Sequence, residues 1–292
     1  MRAGDEISIC GTLFHTTNPV ILWTDSGGFD AYRPHHHLEP GKKGPREHPD
    51  RVQRYDTLRK NLPSDVEARV ATRGWALEDL CKVVDKVVVH FDACGTSQRC
   101  FEVLHDIRGL SAHFLIDLDG TIYQTLDVKE RAWHAAHLND RSIGIELANI
   151  GAYRDRSLID EWYVRDGSFW VVRPEKIAGL YRTGFEARSA TSEIHRATIN
   201  GSSVQQVDFT EEQYQALEQL LHTLCRVLPR ISPTVPRDLS GDVPPEVIDF
   251  STRTPESGAG IIGHYHGSTN KVDPGPAFDW DRIERALRGV GQ

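Results

Sequence analysis

The chain has 292 residues, with 39% hydrophobic and 26% charged residues and a formal net charge of −8. This length is enough for one large or two small domains. The negative charge argues against nucleic acid as the main partner, and no apolar run reaches the length of a membrane span. The first residues lack the apolar core of a signal peptide, so we expect a cytoplasmic protein, with export by a route without a classical leader as the alternative.

Residues 1–80 predict an N-terminal extension that packs against an enzyme body. A strand is expected at residues 19–23, and a connector rich in Pro, His and Gly spans roughly residues 33–50. A short helix follows, with a capping box formed by Ser64 and Glu67. The connector contains three consecutive histidines, for which a solvated loop is favoured over a metal site because the run has no helix or strand register: His35, His36 and His37.

The next strong signal is a β-branched run, Val87-Val88-Val89, followed by His90. Such a run predicts a buried strand with the histidine at its exit. Residues at the ends of strands face the site in α/β sheets, so His90 is a candidate ligand. A core histidine satisfied by hydrogen bonds is the alternative for a histidine considered alone.

A helix over Ser97–Ile107, closed by Gly109, and then a β-hairpin follow this strand. The hairpin is predicted by Asp119-Gly120 between two apolar runs. Beyond it come the segment that contains Trp133 and His134 and a strand that contains Glu146.

A polar segment, roughly residues 151–207, interrupts the body after this strand and ends in a hairpin predicted at Asn200-Gly201. Its aromatic residues could stack on sugars or be buried inside an inserted flap, which is the commoner outcome. A helix from about residue 210 then begins with a Thr210/Gln213 capping box.

Near the C-terminus, Gly263-His264 is followed by Lys271-Val272-Asp273 and a Pro-Gly-Pro stop. His and Asp are zinc ligands, and three protein ligands are the number that a catalytic zinc keeps while one position stays open for water. His90, His264 and Asp273 are therefore the predicted ligands of one Zn²⁺ ion. Lys271 adds a cation that can stabilise charge on a polarised carbonyl.

These motifs, in this order, resemble the zinc-dependent N-acetylmuramoyl-L-alanine amidases of the amidase type 2 and peptidoglycan recognition protein superfamily. The resemblance covers roughly residues 83–150 and 258–285. It implies that His90, His264 and Asp273 hold zinc. It further implies that Glu146 and Lys271 are the catalytic pair.

The resemblance also implies a branch and a substrate rim. Some members use a tyrosine before the histidine of the hairpin strand, and this chain has Ala112 there. It therefore resembles the glutamate-using anhydro-muropeptide amidases. Trp133 and His134 lie in the segment similar to the family's substrate rim and are predicted to contact substrate. For His134 and for His113, a hydrogen bond to a ligand is an equal alternative.

The expected architecture is a mixed β-sheet flanked by helices, with zinc at one sheet edge and an amidase domain over residues 81–290. Its expected reaction is hydrolysis of the amide between N-acetylmuramic acid and L-alanine in peptidoglycan or muropeptides. The alternatives are a module that binds peptidoglycan without cutting it and a zinc amidase that acts on another amide. Retention of all five site residues argues against the first alternative.

Five cysteines are present, and an odd number without a leader suggests reduced thiols. Cys94 and Cys100 have a spacing similar to that of a short disulfide in peptidoglycan recognition proteins. The alternative is that Cys100 is a core thiol on the apolar face of its helix. The sequence leaves both open.

Overall fold

The computed structural model describes residues 2–33, 53–177, 180–252 and 254–288, so most of the connector and its three histidines lie outside the described residues. The strands are, in chain order, β1 (Glu6–Ile9), β2 (Thr12–His15), β3 (Val20–Leu22), β4 (Tyr55–Asp56), β5 (Lys86–Phe91), β6 (Phe114–Ile116), β7 (Ile122–Gln124), β8 (Arg131–Ala132), β9 (Ser142–Leu147), β10 (Tyr163–Asp166), β11 (Phe169–Val172), β12 (Ile194–Ile199), β13 (Ser202–Val207) and β14 (Ile261–Gly263).

The helices are α1 (Ser64–Arg73), α2 (Leu77–Leu80), α3 (Ser97–Phe101), α4 (Ser157–Trp162), α5 (Glu211–Val227), α6 (Pro255–Gly258), α7 (His264–Gly267) and α8 (Trp280–Ala286). Helix α3 continues as a π-helical segment, Glu102–Arg108, which ends at Gly109 in the left-handed conformation. Short 3₁₀ turns cover Ala136–Asp140 and Pro174–Lys176. No helix in the described ranges is long and apolar enough to cross a membrane.

Six strands form one mixed sheet in the order β14-β5-β9-β6-β7-β3. The β14–β5, β5–β9, β9–β6 and β7–β3 pairs are parallel, and β6–β7 is antiparallel. Strands β5 and β9 are almost wholly buried, as expected for parallel strands covered on both faces. The predicted mixed sheet flanked by helices is confirmed.

Helix α5 covers one face of the sheet. Its N-terminus has the predicted capping box between Thr210 and Gln213, and four leucines of its apolar stripe are fully buried: Leu217, Leu220, Leu221 and Leu224. The capping box predicted for α1 is wrong. Ser64 is already helical there, because the helix begins after Pro63 and has no side-chain cap.

The N-terminal residues join the body through β3, an edge strand of the sheet, and through Arg59. The Arg59 guanidinium is fully buried. It donates at 2.8–3.1 Å to four backbone carbonyls, those of Val128, Glu130, Asn139 and Ser142. These carbonyls belong to the segment that leads into β9 and to the first residue of that strand.

The segment inserted after β9 contains α4 and two hairpins, β10–β11 and β12–β13. The second hairpin turns at Asn200-Gly201, as predicted. Tyr163 and Trp170 are buried, and the ring of Trp162 covers Gly95, where a Cβ atom would lie 2.3 Å from the ring. These three aromatic residues therefore serve the packing of the insert, within itself and against the body.

Candidate metal centre and catalytic pocket

A small pocket of about 140 Å³ opens at the carboxyl ends of β5, β9 and β14. Parallel strands present their ends at one edge of a sheet, which is where α/β proteins assemble sites. His90 is the fifth residue of β5, Glu146 lies beside it on β9, and His264 follows β14 directly. The sheet thus collects residues that are far apart in the sequence.

Three side chains in this pocket form a group that could hold a metal ion. The ligand atoms of His90, His264 and Asp273 all lie within 4.8 Å of one another, and all three residues are buried. Nδ1 of His90 is 2.8 Å from Oδ2 of Asp273, and Nδ1 of His264 is 2.9 Å from the same oxygen.

The hydrogen bonds behind His90 indicate which of its nitrogens faces the site. Ser142 Oγ donates to the carbonyl of Leu138 at 2.7 Å and lies 3.3 Å from Nε2 of His134. Nδ1 of His134 lies 3.1 Å from Nε2 of His90. Because the hydroxyl hydrogen of Ser142 is given to Leu138, the hydroxyl oxygen accepts from Nε2–H of His134. Nδ1 of His134 then has no hydrogen and accepts from Nε2–H of His90.

With that tautomer, Nδ1 of His90 presents a lone pair to the carboxylate of Asp273. Burial lowers the pKa of His90 to about 4, so the ring is neutral. Lone pairs on nitrogen and carboxylate oxygen repel each other unless a cation lies between them. The three residues therefore fit a metal ion, and the bond behind His90 is the kind that orients a metal-bound histidine.

Glu146 lies beside this group. Its Oε1 is 4.0 Å from Nδ1 of His90, and its side chain is buried. Burial, followed by the negative charges of Asp273 and Asp92, raises the pKa of Glu146 well above its ordinary value. A carboxyl with a raised pKa beside a metal group can accept and return a proton near neutral pH.

Lys271 borders the same pocket from the loop after α7. Its side chain makes no ion pair with any residue in the described ranges, so its charge is available to a bound molecule. It lowers the pKa of Glu146 and of His90 through its charge. The two catalytic assignments remain predictions, and the pocket brings both residues to the metal group.

Of the two residues predicted to contact substrate, Trp133 and His134, only one lines the pocket. His134 lines the pocket. Trp133 does not line it, because its indole Nε1 donates to Oδ2 of Asp56 at 2.9 Å. His113 is a satisfied core histidine, since Nε2 donates to the carbonyl of Glu130 and Nδ1 accepts from the amide of Gly144.

Sequence reasoning missed several residues of the pocket wall. Asp92 lies two residues after His90, and the period of a strand could have indicated that the two share a face. Its Oδ1 accepts from the amides of Cys94, Gly95 and Asn149, which shapes the loop after β5. Burial raises the pKa of Asp92 to about 7.

Another part of the wall belongs to the helix that begins with α3. Val103, Leu104 and Arg108 line the pocket, and Leu104 and Arg108 are four residues apart on one face. Arg108 is exposed and makes no ion pair with any described residue. The pocket therefore uses part of a helix for which the sequence indicated no site residue.

All five cysteines are free thiols, including Cys94 and Cys100. Cys94 lines the pocket but is not among the three residues of the metal group. Burial raises its pKa to about 12, so the thiol is neutral.

Residues 81–276, well over half of the chain, match the family described as N-acetylmuramoyl-L-alanine amidase (Amidase_2). The chain belongs to this family. The matched range contains all five residues of the predicted site. No curated protein matches the chain.

Three solved structures of similar proteins have low identity to the chain. AmiD from E. coli, in complex with anhydro-N-acetylmuramic acid-L-Ala-D-γ-Glu-L-Lys, is 20% identical over 72% of this chain and 58% of its own, with a TM-score of 0.41. AmpDh3 from Pseudomonas aeruginosa, in complex with an anhydromuramic pentapeptide, is 19% identical over 70% and 59%, with a TM-score of 0.40. AmpD is 21% identical over 86% and 95%, with a TM-score of 0.37. The chain thus spans less than two thirds of AmiD and AmpDh3.

Proposed function

We propose that the protein is a zinc-dependent hydrolase that cleaves the amide between N-acetylmuramic acid and L-alanine in peptidoglycan or muropeptides. The observation that carries this proposal is the convergence of Nδ1 of His90, Nδ1 of His264 and Oδ2 of Asp273 beside Glu146. Family membership supports the choice of amide. Two nitrogen ligands and one carboxylate oxygen suit zinc and leave a coordination position free.

Zinc held by these three residues would supply a water molecule that is activated near neutral pH. Glu146 accepts the proton of the attacking water and returns it to the nitrogen of L-alanine as the amide breaks. Lys271 holds a positive charge beside the amide oxygen, on which negative charge develops. His134 fixes the ring of His90 through the 3.1 Å contact behind it.

The pocket wall also suits a peptide with acidic groups. Arg108 and Lys271 are two cations at the pocket without an ion pair in the described ranges. Val103 and Leu104 supply an apolar surface on the same side. We propose that Arg108 pairs with a carboxylate of the peptide stem, since guanidinium and carboxylate match in shape and charge.

The test combines metal analysis with product analysis. The zinc-loaded protein is incubated with intact sacculi and, separately, with soluble anhydro-muropeptides, and the products are identified by mass spectrometry. Release of free peptide beginning with L-alanine is expected from at least one substrate, and the two arms decide between cell wall and soluble fragments. A protein that binds zinc and muropeptide without releasing peptide is a recognition module, and cleavage of a different bond identifies another amidase.

A further inference from the structure

The hairpin β12–β13 of the inserted segment reaches across to the loop that contains Lys271. At its turn, the side-chain amide Nδ2 of Asn200 lies 3.1, 3.0 and 2.8 Å from the carbonyl oxygens of Tyr265, Ser268 and Lys271. These carbonyls are spread between the ligand residues His264 and Asp273. One side-chain amide therefore contacts the segment between the two ligands at three points.

The backbone at this turn favours the same residue type. Asn200 has φ of +48°, in the left-handed region where Asn and Gly are the usual residues. Its own amide N–H donates to the carbonyl of Pro245 at 3.0 Å, which fixes the turn against the neighbouring loop. Asn at this position thus satisfies the backbone and supplies the donors that the loop needs.

A second side chain of the hairpin holds the other end of the loop. Gln206 on β13 is fully buried. Its Nε2 donates to the carbonyl of Pro274 at 3.1 Å, and its Oε1 accepts from the amide of Ala277 at 3.1 Å. Gly275 leaves room for this contact, since a Cβ atom there would lie 2.1 Å from Oε1.

We propose that hairpin β12–β13 is a positioning element of the active site, in which Asn200 fixes Lys271 and Gln206 fixes the backbone after Asp273. The loop between Gly267 and Trp280 has no helix or strand of its own. Its internal backbone hydrogen bonds join the Lys271 amide to the Ser268 carbonyl at 3.2 Å and the Phe278 amide to the Gly275 carbonyl at 3.5 Å. A catalytic group on such a loop needs outside support to stay in productive geometry.

The catalytic part of this inference rests on the proposed function, and three variants test it. Asn200→Gly keeps the left-handed turn and removes the amide. Asn200→Asp keeps the turn but directs a carboxylate at three carbonyl oxygens. Ser203→Ala is the matched control, because Ser203 is exposed on the same hairpin and makes no side-chain hydrogen bond with a described residue.

We expect kcat to fall by roughly 10- to 100-fold in Asn200→Gly and further in Asn200→Asp, because misplacing a catalytic group by about 1 Å costs up to about 10²-fold. KM should change little, zinc should remain bound, and Ser203→Ala should match the parent protein. In a Lys271→Ala background the cost of Asn200→Gly should largely disappear, because Asn200 acts through Lys271. An equal cost in both backgrounds would overturn the proposal and make Asn200 a purely structural residue.

A second measurement does not depend on turnover. Amide hydrogen exchange over residues 265–277 of the zinc-loaded full chain should accelerate in Asn200→Gly and stay unchanged in Ser203→Ala. If no variant or parent cleaves muropeptides but exchange responds in this way, the proposed function fails while the positioning role stands. Unchanged exchange in Asn200→Gly would overturn the positioning role itself.

Discussion

Two buried carboxylates, one under the N-terminal hairpin and one in the pocket, have opposite surroundings. Asp127 accepts hydrogen bonds from Ser8 Oγ and from the amides of Cys10, Gly11 and Lys129, at 2.8–2.9 Å. Asp273 instead directs one oxygen at two imidazole nitrogens. An amide always carries its proton, whereas an imidazole nitrogen can present a lone pair. The protein supplies hydrogen-bond donors to both oxygens of Asp127, whereas the carboxylate of Asp273 is placed to share a cation with two imidazoles.

The histidines divide in the same way. His266 donates from Nε2 to the carbonyl of Pro244 and accepts at Nδ1 from the amide of Gly263, so both nitrogens are used. Both nitrogens of His113 are also hydrogen-bonded. Burial lowers the pKa of both rings to about 3. In His90 and His264, by contrast, Nδ1 faces the carboxylate of Asp273. Burial alone does not identify a ligand, but the chemical nature of the partner does.

The strongest test of this contrast removes a pocket histidine. His264→Ala should lose zinc and reduce activity by about 10³- to 10⁴-fold or more, because a catalytic metal lowers the activation barrier by several kcal/mol. The control is His222→Ala, which replaces an exposed histidine on α5 and should keep both zinc and activity. Metal content by mass spectrometry and muropeptide turnover are the measurements. Full zinc occupancy in His264→Ala would contradict the ligand assignment.

Glu146 tests whether a pocket carboxylate can act on chemistry without holding the metal. Glu146→Gln should keep zinc and substrate affinity while lowering kcat by roughly 10²- to 10⁴-fold, the usual contribution of general acid–base catalysis. The parent and variant are compared by steady-state hydrolysis with zinc measured on each sample. Loss of zinc would make Glu146 a structural residue, and near-normal turnover would transfer the proton role to another group.

Asp127→Asn and Asp273→Asn should have reciprocal effects on stability and metal binding. Asp127→Asn directs an amide group at N–H and O–H donors, so we expect a loss of about 2–3 kcal/mol in the free energy of unfolding, with zinc retained. Asp273→Asn should lose zinc and leave the stability of the metal-free protein nearly unchanged. Denaturant unfolding with and without a chelator measures both, and the comparison breaks down if the two variants behave alike.

The last expected effect concerns another buried carboxyl, Glu130. Its Oε2 has no hydrogen-bond partner among the described residues, and burial raises its pKa from 4.5 to about 7. The folded state therefore holds a proton that the unfolded state releases, and this contribution to stability is lost as the pH rises from 4.5 to about 7.

Glu130→Gln removes this titration. Relative to the parent, the variant should gain about 2–3 kcal/mol in the free energy of unfolding between pH 5 and pH 8, since one pKa unit corresponds to about 1.4 kcal/mol. Urea unfolding of both proteins across that range measures the difference. A difference that is constant with pH would show that Glu130 titrates alike in the folded and unfolded states.

The sequence predicted the pocket residues that lie at strand ends, because a β-branched run ending in His90 and an apolar strand containing Glu146 have periodicities visible within a few residues. It also predicted the turn at Asn200. It could not predict which loop this turn contacts, because the bonds from Asn200 join residues 65 to 71 positions apart. For the same reason Trp133, which bonds to Asp56, was assigned to the substrate rim from its local segment alone.

The position of β14 at the edge of the sheet also affects the order in which the site can form. His264 and Asp273 follow this strand, whereas His90 lies near the end of its neighbour β5, which is synthesised more than 170 residues earlier. A nascent chain therefore has one of the three ligands while the residues between β5 and β14 are made, and it gains the other two only when β14 pairs with β5. Long-range pairing of this kind is slow to form, so metal uptake should report the final step of folding.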